Sequence, residues 1–168
     1  MDFSQEVRKA TRSDFSHAVL VYKVEPDGVL LADVVKSGVA RRYVTDWYSD
    51  PAKNVVIKRL KPEHRYLVPL VLFEVEKFIR KDSPYDDKFV PDDERFYCTE
   101  LVDHCFRTIG YPLARRIKLK HFPESKILVA VGCFLAGIDA NNEVAVVGNE
   151  KFGIYSSSML ETVLDLRN

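Results

Sequence analysis

Residues 96–106, which read FYCTELVDHCF, are the stretch that decides the fold. Residues 91–95 just before them are polar and include a proline, which is typical of a loop. From Thr99 onward the apolar side chains recur at helical spacing. These are Leu101, Val102, Cys105 and Phe106. The sequence therefore predicts that Cys98 lies where a loop meets the first turn of a helix.

A cysteine at a helix N-terminus has distinctive chemistry. The unpaired backbone N–H groups and the positive end of the helix dipole favour the thiolate over the thiol. The same N–H groups can later stabilise an oxyanion. A thiol nucleophile also needs a base within hydrogen-bond reach, so the positions of the histidines become decisive.

Composition bounds the class of protein. The 168 residues are enough to bury a core, and 46% hydrophobic with 30% charged residues is the balance of a globular protein. Basic and acidic residues number 25 each. The resulting zero net charge argues against nucleic acid or an anionic membrane as the main partner. We expect a single domain over residues 1–168.

The cysteines and the start of the chain give further expectations. Three cysteines form neither a disulfide framework nor a paired Cys-x-x-Cys motif, and no cluster has metal-ligand spacing. We therefore expect no metal and no cofactor. Residues 1–6 lack the apolar core of a signal peptide, and no apolar run could span a membrane. A cytoplasmic protein is the default, with export by another route as the alternative.

The remaining pattern predicts antiparallel strands packed against helices, an α+β fold. Strands are predicted at 15–24, 29–35, 39–44, 55–60 and 144–147, the first two joined by a turn at 26–28. Helices are predicted at 2–12, 62–80, 159–164 and from Cys98 to a stop at Gly110, with a helical turn at 46–48. The apolar residues 126–137 fit a helix or a strand. For the basic residues 113–126 a solvated connection is favoured over a ligand patch.

His17 and Asp33 are the polar residues that interrupt apolar strands. In a hairpin that turns at residues 26–28, Asp33 faces the region of Val21, two pairs from His17, and a bulge could shift this register. A carboxylate beside an imidazole would hold its tautomer and orientation. The pattern alone leaves two alternatives open, a structural strand-end histidine and an exposed edge aspartate.

Three parts of the sequence resemble a known family. Residues 11–22, TRSDFSHAVLVY, resemble the histidine strand of the circularly permuted NlpC-type, papain-fold cysteine hydrolases of the YiiX-like group. Residues 84–86 and 96–102 resemble the nucleophile segment of that group, with Thr99 in place of its usual serine. Residues 33–39 resemble the strand that carries the third polar residue of that group, where glutamate is more usual than aspartate.

The resemblance implies a papain-like fold in the permuted order of histidine, aspartate and then cysteine. It implies that Cys98 is the nucleophile, His17 the base and Asp33 the group that orients His17. Tyr97 is either a second oxyanion donor or a core residue, and the core role is favoured. Tyr85 is expected to line the site. Glu100 is expected to do so as well, with its charge paired to the helix dipole.

Three functions follow as hypotheses. The first is a thiol hydrolase that cleaves amide bonds of a peptide or peptidoglycan fragment through a thioester. The second, on the same fold, is an esterase or acyltransferase that acts on a lipid acyl substrate. The third is a binding module without catalysis, against which the intact Cys98, His17 and Asp33 weigh. A cell-wall substrate conflicts with a cytoplasmic location unless the protein is exported.

Overall fold

The computed structural model describes residues 3–48, 54–90, 92, 94–122, 133 and 136–167. The helices are α1 (Phe3–Thr11), α2 (Val44–Trp47), α3 (Val68–Lys81) and α4 (Cys98–Thr108). The strands are β1 (Leu20–Glu25), β2 (Gly28–Val35), β3 (Gly38–Tyr43), β4 (Val56–Leu60), β5 (Ile117–Lys118), β6 (Glu143–Val144) and β7 (Leu160–Asp165). Within these ranges no helix is long and apolar enough to cross a membrane.

Strands β1, β2 and β3 form an antiparallel meander with β2 in the centre. The second half of β2 is buried, because it pairs on both edges and packs on the helices. Strand β1 is shorter than predicted, and the segment from residue 15 to 19 that carries His17 precedes it without strand pairing. The sheet therefore presents a buried central strand beside an irregular segment.

The register between β1 and β2 differs from the sequence prediction. A bulge between Val21 and Lys23 inserts an extra residue into β1, so Val21 pairs with Leu31. The prediction that Asp33 faces Val21 is therefore wrong. The shift moves Asp33 opposite the segment that precedes β1, which is where His17 lies.

The turn between β2 and β3 fits closely against the loop that follows α3. The φ angle of Gly38 is +122°, and a Cβ atom there would lie 2.4 Å from the carbonyl oxygen of Ser83. The next residue, Val39, donates its backbone N–H to the same oxygen at 2.8 Å. Only glycine permits this approach, which fixes the sheet against the chain that leads to α4.

The main core lies between β2, α3 and α4. A 3₁₀ turn at Pro62–Leu67 precedes α3, so the predicted helix 62–80 is two elements. Helix α3 buries residues spaced by three and four, which are Val71, Val75 and Phe78. Helix α4 adds Leu101, Val102, Cys105 and Phe106, and no one of these is more than a tenth exposed. This packing holds α4 with its first residue toward the sheet.

The predicted helix at 159–164 is wrong. These residues form β7, which pairs antiparallel with β4. The β-branched Thr162 and Val163 favour a strand, and the pairing satisfies backbone groups that β4 would otherwise leave open. The chain thus joins residues 56–60 with residues 160–165 in one two-stranded sheet.

Three further predictions meet the structure in different ways. In residues 144–147 only Val144 lies in a strand, the short β6. In the basic segment the Arg116 side chain is only 18% exposed, and its Nε lies 2.8 Å from a carboxylate oxygen of Asp103, which departs from the predicted solvated connection. Most of the apolar segment 126–137 lies outside the described residues.

Candidate active site

Cys98 occupies the first position of α4. Tyr97 is the N-cap residue, with an extended backbone, so the chain enters the helix as the loop-to-helix pattern predicts. The Cys98 thiol is partly exposed, and its Sγ lies 4.0 Å from the carbonyl oxygen of Ser16. This contact brings the N-terminus of α4 against the segment that carries His17.

His17 and Asp33 form a close pair. His17 Nε2 lies 2.7 Å from Asp33 Oδ1, and the Asp33 side chain is 1% exposed. Because Nε2 faces the carboxylate, Nδ1 is the ring nitrogen left for Cys98. Burial lowers the pKa of His17, but hydrogen bonds to Asp33 and Cys98 outweigh it and raise the pKa from 6.5 to about 10.

The same contacts change the pKa of the Cys98 thiol. Burial raises its pKa, but the hydrogen bond and the charge of His17, with the backbone N–H groups of Ala18 and Thr99, lower it below the usual value. A lowered thiol pKa beside a raised imidazole pKa favours the thiolate–imidazolium pair. The three residues predicted as nucleophile, base and orienting group are therefore brought together.

Sequence reasoning missed two neighbours of this pair. Arg42 Nη1 donates to Asp33 Oδ2 at 3.2 Å. The Trp47 ring stacks on the His17 ring with centroids 6.3 Å apart. The signal for Arg42 was available, because Ala40 pairs with Asp33 and the residue two further on shares its face of the sheet.

Tyr97 and Thr99 both bind the backbone of the distant residue Ala145. The Tyr97 hydroxyl accepts a hydrogen bond from the backbone N–H of Ala145. The Thr99 hydroxyl donates to the Ala145 carbonyl oxygen at 3.0 Å. Tyr97 is 5% exposed, so its hydroxyl lies in the protein at Ala145.

Tyr85 and Glu100 occupy different surroundings. Tyr85 is half-buried near the thiol, and burial raises its pKa. Glu100 is 3% exposed, and burial raises its pKa to about 8 even though Arg116 Nη2 lies 3.9 Å from its Oε1. Burial therefore favours the neutral carboxyl group, which weakens the expected charge pairing with the helix dipole.

A cavity of about 410 Å³ opens beside the thiol. Its walls come from α1, the loop before α4 and residues 144–147, and most of the lining side chains are apolar. They include Val7, Ala10, Phe89, Phe122, Val144 and Val146. These residues are far apart in the chain, so no local sequence pattern predicts the cavity.

Across the described ranges, no three side chains of histidine, cysteine, aspartate or glutamate come together as metal ligands.

Comparison with known proteins identifies the family. The family of permuted papain-like amidases, YaeF/YiiX, C92, matches residues 2–162. The chain belongs to this family. Membership confirms the resemblance found in the sequence and the α+β class, and it makes this C92 protein an amidase or peptidase-like cysteine hydrolase.

One solved structure shares the fold of this permuted amidase. The crystal structure of the metalloprotein yiiX from Escherichia coli O157:H7 superposes with a TM-score of 0.76 at 22% sequence identity. The alignment covers 100% of this chain and 92% of that one. A comparison with curated proteins finds no match.

Proposed function

We propose that the protein cleaves an amide bond through a thioester on Cys98, with His17 as the base and Asp33 as its orienting group. The observation that carries the proposal is the His17 ring, whose Nε2 lies 2.7 Å from Asp33 Oδ1 and whose pKa is raised by Asp33 and by the neighbouring Cys98 thiol. Cys98 also begins α4, where free N–H groups face the reacting atoms.

The chemistry proceeds in two halves. The Cys98 thiolate attacks the amide carbon, and the Cys98 backbone N–H stabilises the oxyanion. The His17 imidazolium then gives its proton to the leaving nitrogen as the C–N bond breaks, which releases the amine and leaves a thioester. Water attacks the thioester while His17 takes its proton, the C–S bond breaks, and the acid leaves with the thiolate–imidazolium pair restored.

Two classes of substrate fit this site. A peptide or peptidoglycan fragment is the first, because amide cleavage is the chemistry of the family. Lipid acyl chemistry is the second, as hydrolysis or transfer of an acyl group. The 410 Å³ apolar cavity beside Cys98 favours it, because an acyl chain bound there would place its carbonyl carbon at the thiol. Both classes pass through the same thioester.

The experiment compares p-nitroanilides and p-nitrophenyl esters of short peptides and of fatty acids. Intact-protein mass spectrometry after a rapid acid quench detects the acyl group on the enzyme. We expect turnover with anilides and an acyl mass located on Cys98, both lost in Cys98→Ala and kept in Cys133→Ala. Better turnover of fatty acyl substrates selects the second class. No adduct and no turnover with any substrate would overturn the proposal.

A further inference from the structure

Asp33 has a second partner besides His17. Its carboxylate is 1% exposed, so both oxygens need donors within the protein. His17 serves Oδ1 at 2.7 Å and Arg42 serves Oδ2 at 3.2 Å. The two donors approach from opposite edges of β2 and fix the rotation of the carboxylate between them.

Arg42 also holds α2 in place. Its Nη2 donates to the backbone carbonyl oxygen of Asp46 at 3.2 Å. The next residue, Trp47, places its ring on the imidazole of His17 at an interplanar angle of 29°. The Arg42 guanidinium therefore joins the buried Asp33 carboxylate to α2, whose Trp47 ring stacks on His17.

We propose that Arg42 is a positioning residue of the catalytic site, which acts on His17 through Asp33 and through Trp47. The inference rests on the proposed function. Without the guanidinium, the Asp33 carboxylate would be free to rotate and α2 would lose its tie to the sheet. The His17–Asp33 hydrogen bond would then be looser and more open to water.

The direction of the pKa change separates positioning from a simple charge effect. The charged or titratable groups that contact His17 and Asp33 are Cys98 on α4 and Arg42 on β3. Removing a cation would by electrostatics alone raise the pKa of His17. Loss of orientation does the opposite, because the Asp33 hydrogen bond is what holds the proton on the imidazole.

The test is an NMR titration of the histidine ring ¹³Cε1 signals in the full chain. The protein has four histidines, and the His17 signal is assigned by its loss in His17→Gln. For Arg42→Met we expect the His17 midpoint to fall by about one pH unit or more. On the better substrate, kcat should fall while KM stays near the wild-type value. Compared with Arg42→Met, Arg42→Lys should restore part of the His17 midpoint and part of kcat. Lysine keeps a positive charge beside Asp33 but lacks the forked guanidinium.

The chain offers a matched control and a second reporter. Arg41→Met removes the same charge from the neighbouring position of β3, where the side chain faces the other side of the sheet, and should leave the titration unchanged. Trp47 is the sole tryptophan, so its fluorescence reports on the ring stacking. We expect a red shift in Arg42→Met and none in Arg41→Met.

The outcomes are distinct. A raised wild-type midpoint that is equal or higher in Arg42→Met would overturn the positioning role and leave the proposed function intact. A wild-type His17 midpoint near 6.5 would overturn the proposed function itself and this inference with it. If Arg42→Met does not fold, Arg42→Gln and Arg42→Lys decide, because a lower midpoint is expected in both and an unchanged midpoint in both contradicts the inference.

Discussion

The Tyr97 hydroxyl accepts a 2.7 Å hydrogen bond from the backbone N–H of Ala145, a residue 48 positions further along the chain. Thr99, on the other side of Cys98, donates to the carbonyl oxygen of the same residue. The two neighbours of the nucleophile thus hold both backbone polar groups of one residue of the cavity wall. They set the distance between the thiol and the surface against which an acyl group would lie.

Tyr97→Phe should reduce stability more than catalysis. The substitution leaves the buried N–H of Ala145 without its acceptor, which costs about 1–3 kcal/mol of unfolding free energy. Chemical denaturation measures this loss, and Tyr66→Phe on the exposed surface is the control. If Tyr97 were an oxyanion donor, kcat would fall about 10²- to 10³-fold, and a fall of that size would contradict the structural role.

Alkylation by iodoacetamide should single out Cys98 below neutral pH. The lowered pKa of its thiol supplies thiolate there, whereas burial raises the pKa of Cys133 and raises that of Cys105 to about 12. Peptide mapping after short exposure gives the rate for each thiol. In His17→Ala the Cys98 rate should fall at least about 10-fold at pH 6, because the imidazolium no longer favours the thiolate.

The corresponding activity profile has two limbs. Activity should rise with pH as the Cys98 thiol loses its proton and the thiolate–imidazolium pair forms. It should fall above pH 9 as His17, with a pKa of about 10, loses the proton that the leaving group needs. In Asp33→Ala the alkaline limb should move to lower pH, with kcat/KM reduced roughly 10²-fold. An unchanged alkaline limb in Asp33→Ala would falsify the orienting role.

Glu100→Gln should change how stability depends on pH. The folded-state pKa of Glu100 is raised to about 8, so the folded protein holds a proton there that the unfolded chain releases near pH 4.5. The stabilisation that the protonated Glu100 gives to the folded state is full below pH 4.5 and is lost as pH rises toward 8. Wild type should therefore lose stability over this window.

The glutamine variant lacks this titration and should be more stable than wild type at pH 8.5. Urea denaturation at pH 5 and pH 8.5 measures the difference. Glu143→Gln, at an exposed position of β6, is the control and should follow wild type. Equal pH dependence in the Glu100 variant and wild type would show that Glu100 is ionised in the folded protein.

Ala10→Phe should act on long acyl chains selectively. Ala10 lines the cavity from α1, and a phenyl ring there would fill part of the 410 Å³. We expect KM to rise with chain length for fatty acyl substrates, while short peptide anilides are unaffected. Gln5→Phe, on the exposed side of the same helix, is the matched control. Equal effects on short and long substrates would mean that the chain binds elsewhere.

The sequence predicts some features of the fold and of the site and misses others. Cys98 was placed correctly because the switch from a polar loop to helical periodicity is a local signal. The bulge after Val21 left no such signal, so the pairing of Asp33 could not be fixed. Strand β7 was mistaken for a helix because a six-residue segment gives too little periodicity and its partner β4 is distant. The apolar cavity depends on contacts between α1 and residues 144–147, which no local pattern contains.

The pairing of β4 with β7 and the hydrogen bonds of Tyr97 and Thr99 to Ala145 have a consequence for biosynthesis. The meander of β1 to β3 is built from neighbouring residues and can form as soon as it leaves the ribosome, so His17 and Asp33 meet early. Cys98 follows more than fifty residues after the meander. Ala145, which is hydrogen-bonded to the two neighbours of Cys98, follows later still. The surroundings of the reactive thiol are therefore complete only after residues 144–147 have been synthesised, later than the groups that control its proton.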